Sequence, residues 1–388
     1  MKILLYLLKI NLNIHYFFIK LFTKTKRQVF FLSRQSNYIS LNYELLIKEL
    51  RKIEPKIEIK VICKKVDEDI NATIRNEKQN NNLFKKLKPA VKYYFLIHKQ
   101  MYYIATSKVV IIDGYNLPVS ILKHKKGTIV IQLWHALAAI KQFGYQTIGK
   151  AYGLKEDVAR ILKMHNNYDY IICGSEVMRQ PFAEAFNTPI EKILPIGTPV
   201  IDYLLSEDNG KEEQIKKAFP QFSKKQNVLY SPTFRNDNNY DFQDLIDNFD
   251  YEKYNLVMTI HPKSNIKIED KRITVVDSKK YSTLDILKCM DYVITDYSAI
   301  AVEALVCNKK VMFFLYDYEE YSKQNGLNID LFEEFPLYTA KNANELLKVL
   351  KEDNYDLKEL KRLREKYVPN TLGNCTKRMI DLIRKELQ

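Results

Sequence analysis

The 388-residue sequence contains no G-x-G-x-x-G, no G-x-x-x-x-G-K-[ST] and no H-E-x-x-H, and its cysteines and histidines fall at no metal-ligand spacing. Dinucleotide, P-loop and zinc-hydrolase chemistries are thereby disfavoured. Glycine is scarce at 10 residues and proline stands at 12, while 46% of the chain is hydrophobic. That balance excludes global disorder and predicts a core-building chain. The length exceeds what one hydrophobic core usually fills, so two packed domains are expected. Five cysteines, Cys63, Cys173, Cys289, Cys307 and Cys375, make an odd set without C-x-x-C spacing. This argues for reduced thiols in a cytosolic protein rather than a disulfide framework.

What is abundant is positive charge. Lys and Arg number 61 against 47 acidic residues, for a net +14. Such an excess attracts polyanions: nucleic acid, an anionic membrane or a phosphate-rich substrate. No helix-turn-helix, zinc-finger or RNP-like pattern accompanies the charge, so nucleic acid is not an expected partner. Ile3 to Phe22 is dense in Leu, Ile and Phe but interrupted by Lys9, Asn11, Asn13, His15 and Lys20. The interruptions make it a poor membrane-spanning helix, and no small-residue cleavage site follows. Periodicity fits an interfacial anchor and a core helix equally; the net charge favours the anchor.

Further along, short apolar, β-branched runs alternate with helical patterns, the signature of parallel doubly wound sheets. The runs are Gln28–Leu32, Ile57–Cys63, Val109–Ile112, Thr128–Leu133 and Tyr170–Cys173, then Asn227–Ser231, Asn255–Ile260, Ile273–Val276, Tyr292–Thr295 and Lys310–Tyr316. A polar stretch from Asp67 to Lys88 reads as a surface loop or insertion. The charged, helical stretch Ser206 to Phe222 marks a boundary. The expected units are 1–24, an N-terminal membrane-interface segment, then domains at 25–205 and 206–388, the second ending in two helices, Tyr355–Lys366 and Thr376–Leu387.

In an open parallel sheet, ligands bind beyond the carboxyl ends of the strands. Four such ends carry chemistry: Trp134-His135, Ser231-Pro232-Thr233-Phe234-Arg235, His261-Pro262-Lys263 and Thr295-Asp296-Tyr297-Ser298. An imidazole such as His135 can take a proton near neutral pH, or rest as a hydrogen-bonded core histidine. His261 is biased to an extended backbone by Pro262 and can donate to a phosphate, with Lys263 beside it. Arg235 offers a planar fork suited to phosphate, or an ordinary salt bridge. Past Thr295, the chain enters a helix whose free N–H groups, with the Thr295 and Ser298 hydroxyls, form a phosphate seat; the plainer reading makes Ser298 an N-cap and Asp296 a turn former. Glu303, two turns on, reaches a ribose hydroxyl or is solvated.

Taken together, Gln132-Leu133-Trp134-His135-Ala136 with Lys141-Gln142-Phe143-Gly144, then Tyr230 to Arg235, His261-Pro262, Asp291 to Ser298 and Phe313 to Asp317 resemble the CDP-glycerol glycerophosphotransferase family of teichoic-acid synthesis. The matches run in order over roughly half of the chain. The resemblance implies two Rossmann-like domains in a glycosyltransferase-B architecture, with the active site in the interdomain cleft. It implies transfer of glycerol phosphate from CDP-glycerol, or ribitol phosphate in some branches, to an undecaprenyl-diphosphate-linked saccharide, with CMP leaving. It also implies peripheral attachment to the cytoplasmic face of the membrane, among other wall-polymer enzymes.

Carried over by position, His135 is the general base, His261 and Arg235 stabilise the diphosphate, and Thr295, Asp296 and Ser298 hold the donor, with Thr233 a neighbour. Ala136 and Ala299 stand where many polymerase-like members have Gly and Ser, and Glu303 where Asp is frequent. The short chain and the Trp-His-Ala…Lys-x-Phe-Gly form point to the priming branch. A chain-extending transferase, a sugar transferase on the same architecture and a catalytically silent precursor-binding scaffold are the competing readings. No carboxylate cluster declares a metal site, although Mg²⁺ can arrive with the diphosphate.

Overall fold

The computed structural model describes residues 2–65, 83–151, 153–206, 210–233, 235, 240–259, 268–352, 355–370 and 372–388, with the side chains of 83–90 outside that description. Two six-stranded sheets organise the chain, and every strand pairing within them is parallel.

The first sheet holds β1 (Lys26–Ser33), β2 (Glu58–Cys63), β3 (Ser107–Ile112), β4 (Ile129–Gln132), β5 (Tyr170–Ile172) and β6 (Ile193–Leu194), in the order β2-β1-β3-β4-β5-β6. The second holds β7 (Gln226–Ser231), β8 (Tyr254–Thr259), β9 (Thr274–Val276), β10 (Tyr292–Thr295), β11 (Lys310–Phe314) and β12 (Thr339–Ala340), in the order β12-β11-β10-β7-β8-β9. Ten of the twelve strands coincide with the apolar runs read from sequence. β6 and β12 were not anticipated: each is two residues at a sheet edge, too short to show a period.

Both faces of the first sheet are covered, so its strands read as continuous apolar runs. Along β1 the side chains alternate, with Phe30 and Leu32 in one core cluster and Val29 and Phe31 in the other. The second cluster is closed by α2 (Leu41–Ile53) and by the C-terminal helix. That last helix carries Met379, Ile380, Ile383 and Leu387 onto the first sheet, although it follows the second in sequence. Its first turn is tied across by Asp202, whose carboxylate accepts from the Cys375 and Thr376 amides at 3.1 and 2.6 Å.

At the other end, α1 (Lys2–Phe22) lies against α3 (Leu83–Thr106). The expected polar loop Asp67–Lys88 therefore ends earlier than its composition suggests, because Leu and Lys are good helix formers and α3 has begun by Leu83. Residues 67–82 of that loop lie outside the described residues. The boundary stretch likewise divides: its helical part is Lys211–Ala218, followed by a short 3₁₀ turn over Pro220–Ser223.

Among the described residues, α1 alone is long and apolar enough to cross a membrane. Only Leu12 and Tyr16 are buried along it. The polar residues that interrupt it bind the body instead: Lys9 donates to the Ile161 carbonyl, Lys20 to that of Lys123, and Asn11 accepts from Tyr94. Ile3, Leu7, Ile10, Ile14, Phe17 and Leu21 stand exposed on the outer face.

Candidate functional site

Each sheet has a point where strand order reverses, between β1 and β3 in the first and between β7 and β10 in the second. Such points leave a crevice at the carboxyl ends of the strands. The chemistry-bearing residues gather there.

On the first sheet, β4 ends at Gln132, whose side-chain oxygen accepts from the Trp134 amide at 2.9 Å. Trp134 takes a left-handed backbone, φ 57°, which is rare for a bulky residue and marks stored strain. Its indole is held by stacking on Phe143, with ring centroids 4.6 Å apart. The reversal turns His135 outward, beside the indole, where its ring is reached by solvent. His135 Nδ1 lies 3.1 Å from the Asp113 carbonyl, just past β3. A carbonyl only accepts, so Nδ1 carries the proton and Nε2 keeps its lone pair.

The Gln35 side-chain amide, just past β1, lies 3.3 Å from the same Nδ1, as a packing neighbour rather than a donor, since that nitrogen already carries the proton. Gly114 leaves room for it, since a Cβ there would stand 2.6 Å from Gln35 Nε2. Protein crowds His135 on the sides away from solvent. This desolvation lowers its pKa, the Asp113 carbonyl bond opposes the shift, and the charge of Lys141 adds to it.

On the second sheet, Asp296 is fully buried just past β10. Its Oδ1 accepts from the Thr233 and Tyr297 amides at 2.8 and 2.7 Å, and its Oδ2 from Arg235 Nη1 at 2.8 Å. Arg235 also donates through Nε to Asp317, past β11, at 2.8 Å, and through Nη1 to the Thr233 carbonyl. Its guanidinium lies near the rings of Tyr316, Tyr240, Tyr321 and Tyr297. Burial alone would lower the Arg235 pKa; Asp296, Tyr316 and Asp317 overcome it and raise it, so the charge is permanent. The fork expected to face a diphosphate is thus filled by two carboxylates, and the ion pair fastens together the loops after β7, β10 and β11.

The remaining anticipated residues divide into structural and available groups. Thr295 spends its hydroxyl on the Ser231 carbonyl at 2.7 Å. Ser298 is half-buried at the start of α4 (Ile300–Val306) and accepts from the Ile300 amide at 3.4 Å. Thr233 Oγ1 is buried without a partner among the described residues. Glu303 on α4 is half-buried as a residue, but its Oε2 is enclosed and unpartnered, and burial pushes its pKa up to about 8. It is therefore largely protonated at neutral pH and able to donate as well as accept. His261, with Pro262 and Lys263, lies outside the described residues.

Lys141 links the two groups and was read only as part of a motif. Burial lowers its pKa; Asp296 pulls it up and Arg235 pushes it down. It also lowers the pKa of His135. One ammonium therefore sits within electrostatic reach of both the imidazole and the buried ion pair. Its backbone forms an antiparallel bridge with Leu327 of the second lobe. His165 is a further unanticipated neighbour: buried, it donates to or accepts from Tyr168 at 3.1 Å, and burial followed by the nearby His135 takes its pKa down to about 3. It serves as a neutral wall behind Trp134. Among the described residues no three His, Cys, Asp or Glu side chains converge as metal ligands would.

A family model described as CDP-Glycerol:Poly(glycerophosphate) glycerophosphotransferase matches residues 14–385. A teichoic acid ribitol-phosphate primase of Bacillus spizizenii is 27% identical over 90% of this chain and 89% of that protein. A teichoic acid glycerol-phosphate primase of Bacillus subtilis is 29% identical over 74% of this chain and 75% of that protein. In fold, the chain is similar to the wall teichoic acid polymerase TagF, with TM-score 0.72 at 19% identity over 100% of this chain and 97% of that one. It is also similar to the Neisseria meningitidis UDP-GlcNAc 2-epimerase, with TM-score 0.57 at 14% identity over 92% and 100% of the two chains.

Proposed function

The chain belongs to the CDP-glycerol:poly(glycerophosphate) glycerophosphotransferase family, and on that premise we propose that it moves glycerol phosphate from CDP-glycerol onto a hydroxyl of a lipid-linked saccharide. The acceptor oxygen attacks the glycerol-bearing phosphorus, the bond from that phosphorus to the bridging oxygen breaks, and CMP leaves. The hydroxyl proton passes to His135 Nε2. Each sheet with its helices acts as a Rossmann-like domain of a glycosyltransferase-B pair, with 25–205 on the acceptor side, joined there by the C-terminal helix Cys375–Leu387, and the rest of 206–388 on the donor side.

The observation that carries this reading is the His135 imidazole, committed at Nδ1 to the Asp113 carbonyl and free at Nε2 of any partner among the described residues. Phosphoryl transfer asks the protein for positioning and charge more than for covalent chemistry. Lys141 supplies a cation between the base and the second lobe. Thr233 and Ser298 offer hydroxyls to the diphosphate, Glu303 addresses the ribose, and His261 adds a donor. Arg235, Asp296 and Thr295 are positioning residues that hold the donor loops.

Two of the similar relatives are primases, and this supports a single priming addition. Ribitol phosphate is the second reading, supported by the ribitol-phosphate primase. The chain would act at the cytoplasmic face of the membrane, resting on the exposed face of α1. Purified protein incubated with CDP-glycerol, CDP-ribitol and a lipid-linked disaccharide tests the scheme by product mass. One glycerol phosphate increment with equimolar CMP is expected. A ribitol phosphate increment, repeated additions, or no CMP release from either donor would overturn the corresponding part.

A further inference from the structure

A second feature of the first lobe lies away from His135, at the carboxyl end of β2. There Lys64 and Lys65 face Lys92 and Lys99 of α3 across a pocket of about 290 Å³, with Phe95 and Leu96 alongside. On α3 the spacing 92, 95/96, 99 puts these residues on one stripe. None of the four lysines is paired with a carboxylate among the described residues, although other lysines of the same lobe are, such as Lys60 with Glu58. Four ammonium groups around one concavity make a positive potential that draws an anion.

Two neighbours say what kind of anion. Phe95 is 69% exposed beside the pocket, and α3 is locked to α1 by Tyr94 donating to Asn11 and by the 2.7 Å contact of His15 with His98. Exposed Phe95 thus stands on α3 between the lysine stripe and the side that meets α1, which suits an anionic head on a hydrocarbon tail. In the other direction a continuous rim leads to the base: the Lys65 amide donates to Asn37 at 3.1 Å, Asn37 follows Gln35 in the loop after β1, and Gln35 reaches His135.

We propose that the Lys64/Lys65/Lys92/Lys99 pocket seats the diphosphate of a polyprenyl-diphosphate-linked acceptor, with its tail leaving over the apolar face of α1 and α3 and its saccharide reaching along the loop after β1 to His135. This rests on the transferase reading and adds the acceptor's anchoring site. The disubstituted diphosphate carries two negative charges, so each phosphate can be met by two of the four ammonium groups, and a concavity suits a single head better than a bulk lipid surface.

The test uses the full chain, saturated with CDP-glycerol to fill the donor seat and titrated with farnesyl diphosphate, farnesol or phosphatidylglycerol vesicles. Wild type should prefer the diphosphate to farnesol. The combined Lys64→Gln, Lys65→Gln, Lys92→Gln and Lys99→Gln variant should bind farnesyl diphosphate at least tenfold more weakly, and the corresponding four Lys→Arg changes should restore it. If the fourfold variant fails to fold, Lys92→Gln with Lys99→Gln, on the exposed helix face, gives the same comparison. Equal affinities in wild type and variant overturn the proposal. So does a variant that keeps farnesyl diphosphate and loses the vesicles, which would assign the pocket to bilayer headgroups. No turnover is read, so this outcome is separate from that of the product-mass assay.

Discussion

His135 owes its role to its neighbours more than to its own type. A strained Trp134 turns it outward, a backbone carbonyl sets its tautomer, and crowding with a nearby ammonium lowers its pKa. The neutral ring is the working form of a base, so activity should hold at neutral pH and fall only as pH drops below the ordinary histidine value of about 6.5. Removing the cation should raise the His135 pKa. Lys141→Met is therefore expected to move the acid limb of kcat/KM upward while lowering kcat through loss of charge at the diphosphate. His135→Ala should lose about 10²–10⁴-fold in kcat and flatten that limb, with CDP-glycerol affinity changed far less. Rate profiles of the three proteins between pH 5 and 9 check both statements; an acid limb that survives in His135→Ala removes the base from His135.

Among the elements, α1 shows what sequence patterning can and cannot carry. Its imperfect amphipathicity reads as two opposed polar stripes, and the structure accounts for them: Lys9 and Lys20 bind the lobe on one side, Asn11 and His15 meet α3 on the other. Between them runs the exposed apolar face, too broad to be left to water by a monomeric surface. Phe17→Ser, Phe18→Ser and Leu21→Ser, all on that face, should abolish flotation with anionic vesicles while leaving the thermal midpoint within about 2 °C, since no core contact is lost. Flotation equal to wild type would show that this face makes no vesicle contact.

Local patterning was likewise enough for the ten longer strands, most of whose apolar runs are buried on both faces, the edge strands β2 and β9 being only partly buried. It could not supply Gln35 as a neighbour of His135. That contact exists because the sheet order is β2-β1-β3-β4, which brings the ends of β1, β3 and β4 together. Nor could it tell that Arg235, readable as a phosphate ligand, and Asp296, readable as a turn former, would satisfy one another, since charge complementarity across 61 residues of sequence appears only once β7 and β10 are adjacent.

At the scale of the molecule, two of the seams that join the lobes among the described residues differ in character. One is structural: Asp202 caps the C-terminal helix, which crosses back to pack on the first sheet. The other joins residues 140–146 to 326–328 and is built of polar bonds. Gln142 N donates to the Gly326 carbonyl at 3.0 Å, Asn328 N to that of Ile140 at 2.9 Å, and the Gln146 and Asn328 amides pair reciprocally. Gly326, at φ 86°, makes the close approach possible, because a Cβ there would collide with the Gln142 side chain.

Polar bonds of this kind are individually worth about 0.5–1.5 kcal/mol and exchange readily with water, whereas the seam built on helix packing is not easily parted. The polar seam is therefore expected to part before the helix-packed one. Asn328→Ala removes one side of the reciprocal pair without touching either core. It should lower kcat several-fold and speed hydrogen exchange at Ile140 to Gln142, with the thermal midpoint little changed. Asp202→Ala should do the opposite, costing about 1 kcal/mol in stability through the lost cap with kcat nearly intact. If the two variants gave the same pattern, the lobes would behave as one body and the polar seam would have no role of its own in turnover.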